Sequence, residues 1–173
     1  MKKGLVIVHT GHGKGKTTAA LGLAMRALGH GLHVCVIQFI KGSWKYGELA
    51  SAERFHDRLD FHVLGKGFTW KSENLDADKQ VAQAAWQFAK QKLASDDYAL
   101  IILDELTYLI KYGFVEESEI LETLTHKRDD LHIVVTGRDA SQGLLDAADL
   151  VTEMVAVKHP FEDGVKAQKG IEF

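Results

Sequence analysis

The sequence has a single cysteine, Cys35, so no disulfide framework can form. It lies in an apolar run and reads as a buried thiol. No apolar stretch approaches the ~18 residues that span a bilayer. Met-Lys-Lys leads straight into apolar residues, without the separate apolar region and cleavage site of a signal peptide. These absences predict a cytoplasmic protein with no membrane partner. Basic blocks are lacking too, and a net charge of -3 argues against a dedicated nucleic-acid binder. The histidines show no His-Glu-x-x-His or similar spacing, so no zinc or iron site is predicted. With one proline and no repeats, low-complexity tracts or linkers, the chain reads as one domain. Its 173 residues are enough for one sizeable core and few for two.

What is present is organised around Val6-Ile-Val-His-Thr10-Gly-His-Gly-Lys14-Gly-Lys16-Thr17-Thr18. An apolar run breaks into alternating glycines, and Gly15-Lys16-Thr17 opens a run rich in Ala and Leu, which spells strand, turn, helix. Glycines let backbone N–H groups close around an anion, and the positive end of the helix favours it. Gly11, His12, Gly13, Lys14, Gly15 and Thr18 would surround the phosphates, with Lys16 reaching their oxygens from a solvent-facing loop. The Thr17 hydroxyl would sit on a magnesium ion. The usual phosphate-loop pattern puts its first glycine at position 10, which here is Thr10; Gly11 comes one place late.

The continuous apolar run at 5–9 reads as a strand covered on both faces and 34–40 as a second buried strand; 61–64, which is shorter, 98–103, 133–136 and 150–155 read as the further strands. Helices are expected at 17–28, ended by Gly29 and Gly31, and at 48–58, 106–111, 118–124 and 142–148. The longest is expected to run to about residue 94, capped by Asp76 and facing inward with Val81, Ala84, Ala85, Phe88 and Ala89. The stretch 156–173 is polar and without period, and reads as an irregular tail. Strands alternating with helices predict one doubly wound α/β domain around a mainly parallel sheet, with ligands at the carboxyl ends of its strands.

Leu100-Ile-Ile-Leu-Asp104-Glu105 has the form of a strand delivering carboxylates beside the phosphate loop, where one of them would hold the magnesium. An ordinary strand end capped by acids has the same letters. Arg138, after the 133–136 strand, suits bidentate phosphate contacts and equally a structural salt bridge. Phe68 and Trp70, in a loop rich in glycine and polar residues, read either as anchors packed on the core or as a flat wall for a planar ligand. Asp60-Phe-His62-Val-Leu-Gly65 matches a histidine-on-cobalt signature letter for letter, but His62 falls inside an alternating strand and is read as a strand histidine.

The whole chain resembles the P-loop-type ATP:cob(I)alamin (corrinoid) adenosyltransferases. The resemblance is carried by Gly11-His-Gly-Lys-Gly-Lys-Thr-Thr18, Gln38-Phe-Ile-Lys-Gly42, Gly67-Phe-Thr-Trp70, Leu103-Asp-Glu-Leu-Thr-Tyr108, Thr136-Gly-Arg138, Val157-Lys-His159 and Gly164-Val-Lys-Ala-Gln-Lys-Gly-Ile-Glu172. It implies a RecA-like fold, a homodimer, and transfer of the 5′-deoxyadenosyl group of ATP to the cobalt of a reduced corrinoid, with triphosphate released. It further implies magnesium (or manganese) on Thr17 and Glu105, with Asp104 behind them. Phe68, Trp70 and Lys41 would lie on the corrinoid, the aromatics displacing its axial base, and a flavoprotein would supply electrons. A generic P-loop kinase or ATPase, and a RecA-like nucleic-acid-binding module, are the competing functions.

Overall fold

The computed structural model describes residues 3–40, 46–65 and 75–173. Six strands form one sheet in the order β3-β2-β4-β5-β1-β6: β1 Val6–Thr10, β2 Val34–Gln38, β3 Leu59–Val63, β4 Leu100–Asp104, β5 His132–Thr136 and β6 Leu150–Glu153. Every neighbouring pair is parallel, so the doubly wound α/β expectation holds. The helices are α1 Lys16–Gly29, α2 Gly47–Ala52, α3 Leu75–Ala94, α4 Thr107–Lys111, α5 Glu117–Thr125 and α6 Gln142–Ala147.

The pleat sorts the central strands into two cores. Cys35, Ile37, Ile101, Leu103, Ile133 and Val135 face one side, and Val34, Val36, Leu100, Ile102 and Val134 the other. The second side is covered by α1 through Ala20 and Ala24, whose small side chains let the helix lie close to the sheet. The first is covered by α3, α5 and α6. Cys35 is fully enclosed, and burial pushes its thiol up to about 12.

Most element boundaries differ from the sequence reading by a residue or two, and three of the differences bear on the packing. Gly29 is the last residue of α1 and Gly31, at φ 72°, turns the chain out of it. The expected 48–58 helix is α2 followed by a short 3-10 turn, Glu53–Phe55. Asp76 lies inside the first turn of α3 and is not its cap. The buried face of that helix is Ala82, Ala85, Trp86, Ala89 and Leu93, with Ala84 exposed. Trp86 Nε1 donates to Glu119 at 3.0 Å, tying α3 to α5.

At the opposite end of the sheet from the strands' carboxyl ends, Tyr98 donates to Asp60 in β3 while accepting from Lys92 of α3 at 2.9 Å. The Tyr98 hydroxyl, burial opposing, holds the Asp60 carboxyl below its ordinary range. A depressed carboxyl contributes stability above its unfolded pKa, about 3.9, and loses it as pH falls through the folded value. Tyr98→Phe should therefore cost about 1 kcal/mol near neutrality, and the deficit should shrink below about pH 4. Urea unfolding at pH 7 and pH 3 checks this; an equal deficit at both would assign the loss to packing.

Candidate active site

Three of the parallel strands deliver the site at their carboxyl ends: β1 runs into the phosphate loop, β4 ends in Asp104, and β5 leads to Gly137-Arg138. Thr10 is still in β1, paired with Glu153, and its hydroxyl accepts the Ala140 N–H at 3.2 Å. The late glycine follows from this, because the turn begins only at Gly11. That residue takes φ 94°, and a Cβ there would lie 2.4 Å from the Met154 carbonyl oxygen. A Cβ on Gly13 would lie 2.7 Å from the same oxygen, to which the Gly13 N–H donates at 2.6 Å. The segment after β6 thus forms the floor of the loop. Gly15 turns at φ 108° into α1.

Lys16 is not solvent-facing as expected: it is 7% exposed. Its Nζ donates to the carbonyls of Gly11 at 2.8 Å and Gly13 at 2.7 Å. Burial pushes its pKa below the ordinary lysine value, with Glu105 pulling the other way.

Asp104 has no exposed surface. Its Oδ1 accepts the Thr17 hydroxyl at 2.8 Å and the Thr136 hydroxyl at 2.7 Å, and its Oδ2 accepts the Gln38 amide at 3.0 Å. The sheet order explains the set, since β4 lies between β2 and β5 and Gln38 stands in register with Asp104. Thr136 also accepts the Glu105 N–H at 2.9 Å. Glu105 adopts φ 64°, a left-handed conformation costing a non-glycine residue about 1 kcal/mol or more. The adjacent carboxylates are thereby parted: Asp104 faces inward, and Glu105 lines the cavity.

That cavity, about 570 Å³, is lined by loop residues His12 to Thr18, by Glu105, Tyr108 and Arg138, by α2, and by residues 170–173. Gly11 is not among its walls; it serves the loop through its close approach to Met154. Among the described residues Arg138 has no carboxylate within 4.0 Å, which leaves its guanidinium to the cavity. A Cβ on Gly137 would overlap Thr107 Oγ1 at 1.9 Å, so glycine is required beside the arginine. His12 pairs with Asp139 at 3.0 Å, and Lys14 with Glu172 at 3.3 Å.

Thr136, Gln38 and Glu172 are residues whose roles the sequence reading did not identify, although all three lie in the motifs that carry the resemblance. His62 sits inside β3, edge-on to Phe88. Lys41, Phe68 and Trp70 lie outside the described residues.

A buried lysine and a threonine at a helix start, backed by a strand-end aspartate, form a P-loop on a RecA-like fold. Two solved structures share that fold: the flagellar accessory protein FlaH from Methanocaldococcus jannaschii, with a TM-score of 0.56 and 13% identity, covers 88% of this chain and 72% of its own. The RadB recombinase gives a TM-score of 0.53 and 14% identity over 92% of this chain and 78% of its own. The family is set by sequence: residues 2–173 match the model of ATP:corrinoid adenosyltransferase BtuR/CobO/CobP, and the chain belongs to that family. The corrinoid adenosyltransferase of Pseudomonas aeruginosa is 47% identical over 99% of this chain and 85% of its own length. Corrinoid adenosyltransferase CobA of Salmonella typhimurium is 44% identical over 99% and 87%.

Proposed function

We propose that this cavity binds the triphosphate of ATP and presents the C5′ carbon to the cobalt of a Co(I) corrinoid. The cobalt–carbon bond forms as the C5′–oxygen bond breaks, and the whole triphosphate leaves with the bonding pair. Reduced cobalt is itself a strong nucleophile, so no serine, cysteine or general base is required of the chain. The observation that carries this reading is the constellation of Lys16, Thr17 and Asp104 at one helix start, in a chain of the corrinoid adenosyltransferase family.

The residues divide the task. Lys16, with two of its three N–H donors held by the Gly11 and Gly13 carbonyls, offers the third to the phosphate oxygens and faces the charge that develops on the leaving group, with the loop amides. Arg138 and Lys14 add further cations to the same wall. Thr17 and Glu105 would hold the magnesium: Asp104 is fully enclosed and its Oδ1 already accepts two hydroxyls, so Glu105 is the carboxylate on the phosphate side. Oxygen donors of this kind suit a hard divalent cation. When bound, magnesium would neutralise part of the triphosphate charge.

The finer parts of this reading come from the family resemblance. Residues 1–173 act as one catalytic domain, in a cytoplasmic homodimer supplied with electrons by a flavoprotein. Phe68 and Trp70 lie on the corrin face and displace the axial base, and Lys41 contacts the corrinoid. Replacing either aromatic with alanine should impair activity started from Co(II)cobalamin far more than activity started from chemically prepared Co(I). Equal losses would make both residues structural.

The decisive assay is incubation with ATP, magnesium and chemically reduced cobalamin. The spectrum of adenosylcobalamin should grow in step with released triphosphate. Release of ADP in its place would make the site a phosphoryl-transfer enzyme.

A further inference from the structure

The phosphate cavity is completed by the far end of the sequence. Residues 170–173 stand on its wall, in a turn that largely closes on itself. The Gln168 carbonyl accepts the Ile171 N–H at 3.1 Å and the Glu172 N–H at 2.9 Å, and Gly170 N–H donates to the Phe173 carbonyl at 2.7 Å. One oxygen of the Glu172 carboxylate accepts the Gln168 N–H at 2.6 Å. The other is 3.3 Å from Lys14 Nζ, on the phosphate loop itself. The Glu172 side chain is 15% exposed and that of Lys14 51%, so the anion is the better fixed of the two. The Gln168 N–H first, and Lys14 after it, hold the Glu172 carboxyl below its ordinary range.

We propose that Glu172 competes with the polyphosphate for Lys14: it yields the ammonium when nucleotide enters the cavity and reclaims it as triphosphate departs. The chemistry gives such a device a use. Adenosyl transfer turns a bound nucleotide into free triphosphate held by the same loop amides and cations, so the enzyme's own grip on the phosphates opposes turnover. A carboxylate fixed on a turn beside the loop supplies an internal anion for the same cation, and like-charge repulsion favours the departure of the product. Lys14 is the suitable partner, because its side chain is half exposed and can change acceptors, whereas Lys16 is enclosed by the loop.

This inference rests on the triphosphate occupying the phosphate loop, and the test separates the two. Inorganic triphosphate is titrated calorimetrically into wild type, Glu172→Gln, Lys14→Met and the double variant. Glutamine keeps an oxygen for the Gln168 N–H, so the turn can stay closed while the charge is lost. Glu172→Gln should bind triphosphate about fivefold tighter, the size of one partly exposed ion pair. In the Lys14→Met background the same change should gain less than about twofold. If Glu172→Gln lowers the melting temperature, Glu172→Asp carries the test: its shorter side chain draws back from Lys14 and should also tighten binding, by less. Equal or weaker binding by the position-172 variants overturns the competition, and so does an equal gain with and without Lys14. A wild-type protein that binds no triphosphate overturns the reading of the loop itself, and this inference with it.

Discussion

Lys16→Ala is expected to slow adenosyl transfer by at least about a hundredfold, with the melting temperature nearly unchanged. The rate loss follows from where the reaction puts its charge. As the C5′–oxygen bond breaks, negative charge grows on the leaving triphosphate, and one preorganised donor aimed at such charge is worth ~3 kcal/mol. Lys16 is preorganised: it is 7% exposed and held by two loop carbonyls within 2.8 Å. The same burial explains why stability should hardly move. Desolvation already disfavours the ammonium, as its lowered pKa records, so removing it relieves a cost as well as losing two hydrogen bonds. Single-turnover rates with chemically reduced cobalamin, alongside thermal melting, check both halves. Full activity in the variant would remove this loop from the chemistry.

Much of the fold was legible because its signals are local. Apolar runs marked the strands, and the strand–glycine–helix sequence at residues 6–18 marked the loop. The buried face of α3 was legible only in part. Alanines at 82, 84, 85 and 89 fit more than one helical face, and the sequence reading included Ala84 and omitted Trp86. The structure turns Trp86 inward, 1% exposed, with its N–H satisfied by Glu119. Two features of the site were beyond any local pattern. The Thr136–Asp104 hydrogen bond depends on β4 and β5 being neighbours in the sheet, and the Lys14–Glu172 pair joins the two ends of the sequence. The stretch 156–173 was read as an irregular tail because its hydrogen bonds lie within short turns, which impose no apolar period.

Adjacent acids with opposite surroundings should separate cleanly on substitution. Asp104→Ala is expected to lower stability by about 3 kcal/mol, because Thr17, Thr136 and Gln38 all lose an acceptor inside the protein. Asp104→Asn should cost much less. Gln38 Oε1 is buried and without a hydrogen-bond partner among the described residues, so a flip of the Gln38 amide would offer that oxygen to the new NH2. The side-chain oxygen that the substitution retains could then still accept both hydroxyls. Glu105→Gln should cost little stability, since glutamine keeps the shape and one acceptor oxygen of a half-buried side chain on the cavity wall. It should instead raise the magnesium concentration for half-maximal rate by about tenfold, the size of one charged contact. The shift with Asp104→Asn should be smaller. Urea unfolding measures the first effect, and magnesium titrations of activity, paired with manganese binding followed by electron spin resonance in the presence of ATP, measure the second. A larger metal shift for Asp104→Asn than for Glu105→Gln would move the ligand role to Asp104. Loss of stability in Glu105→Gln would mean that the charge of Glu105 serves the fold as well as the metal.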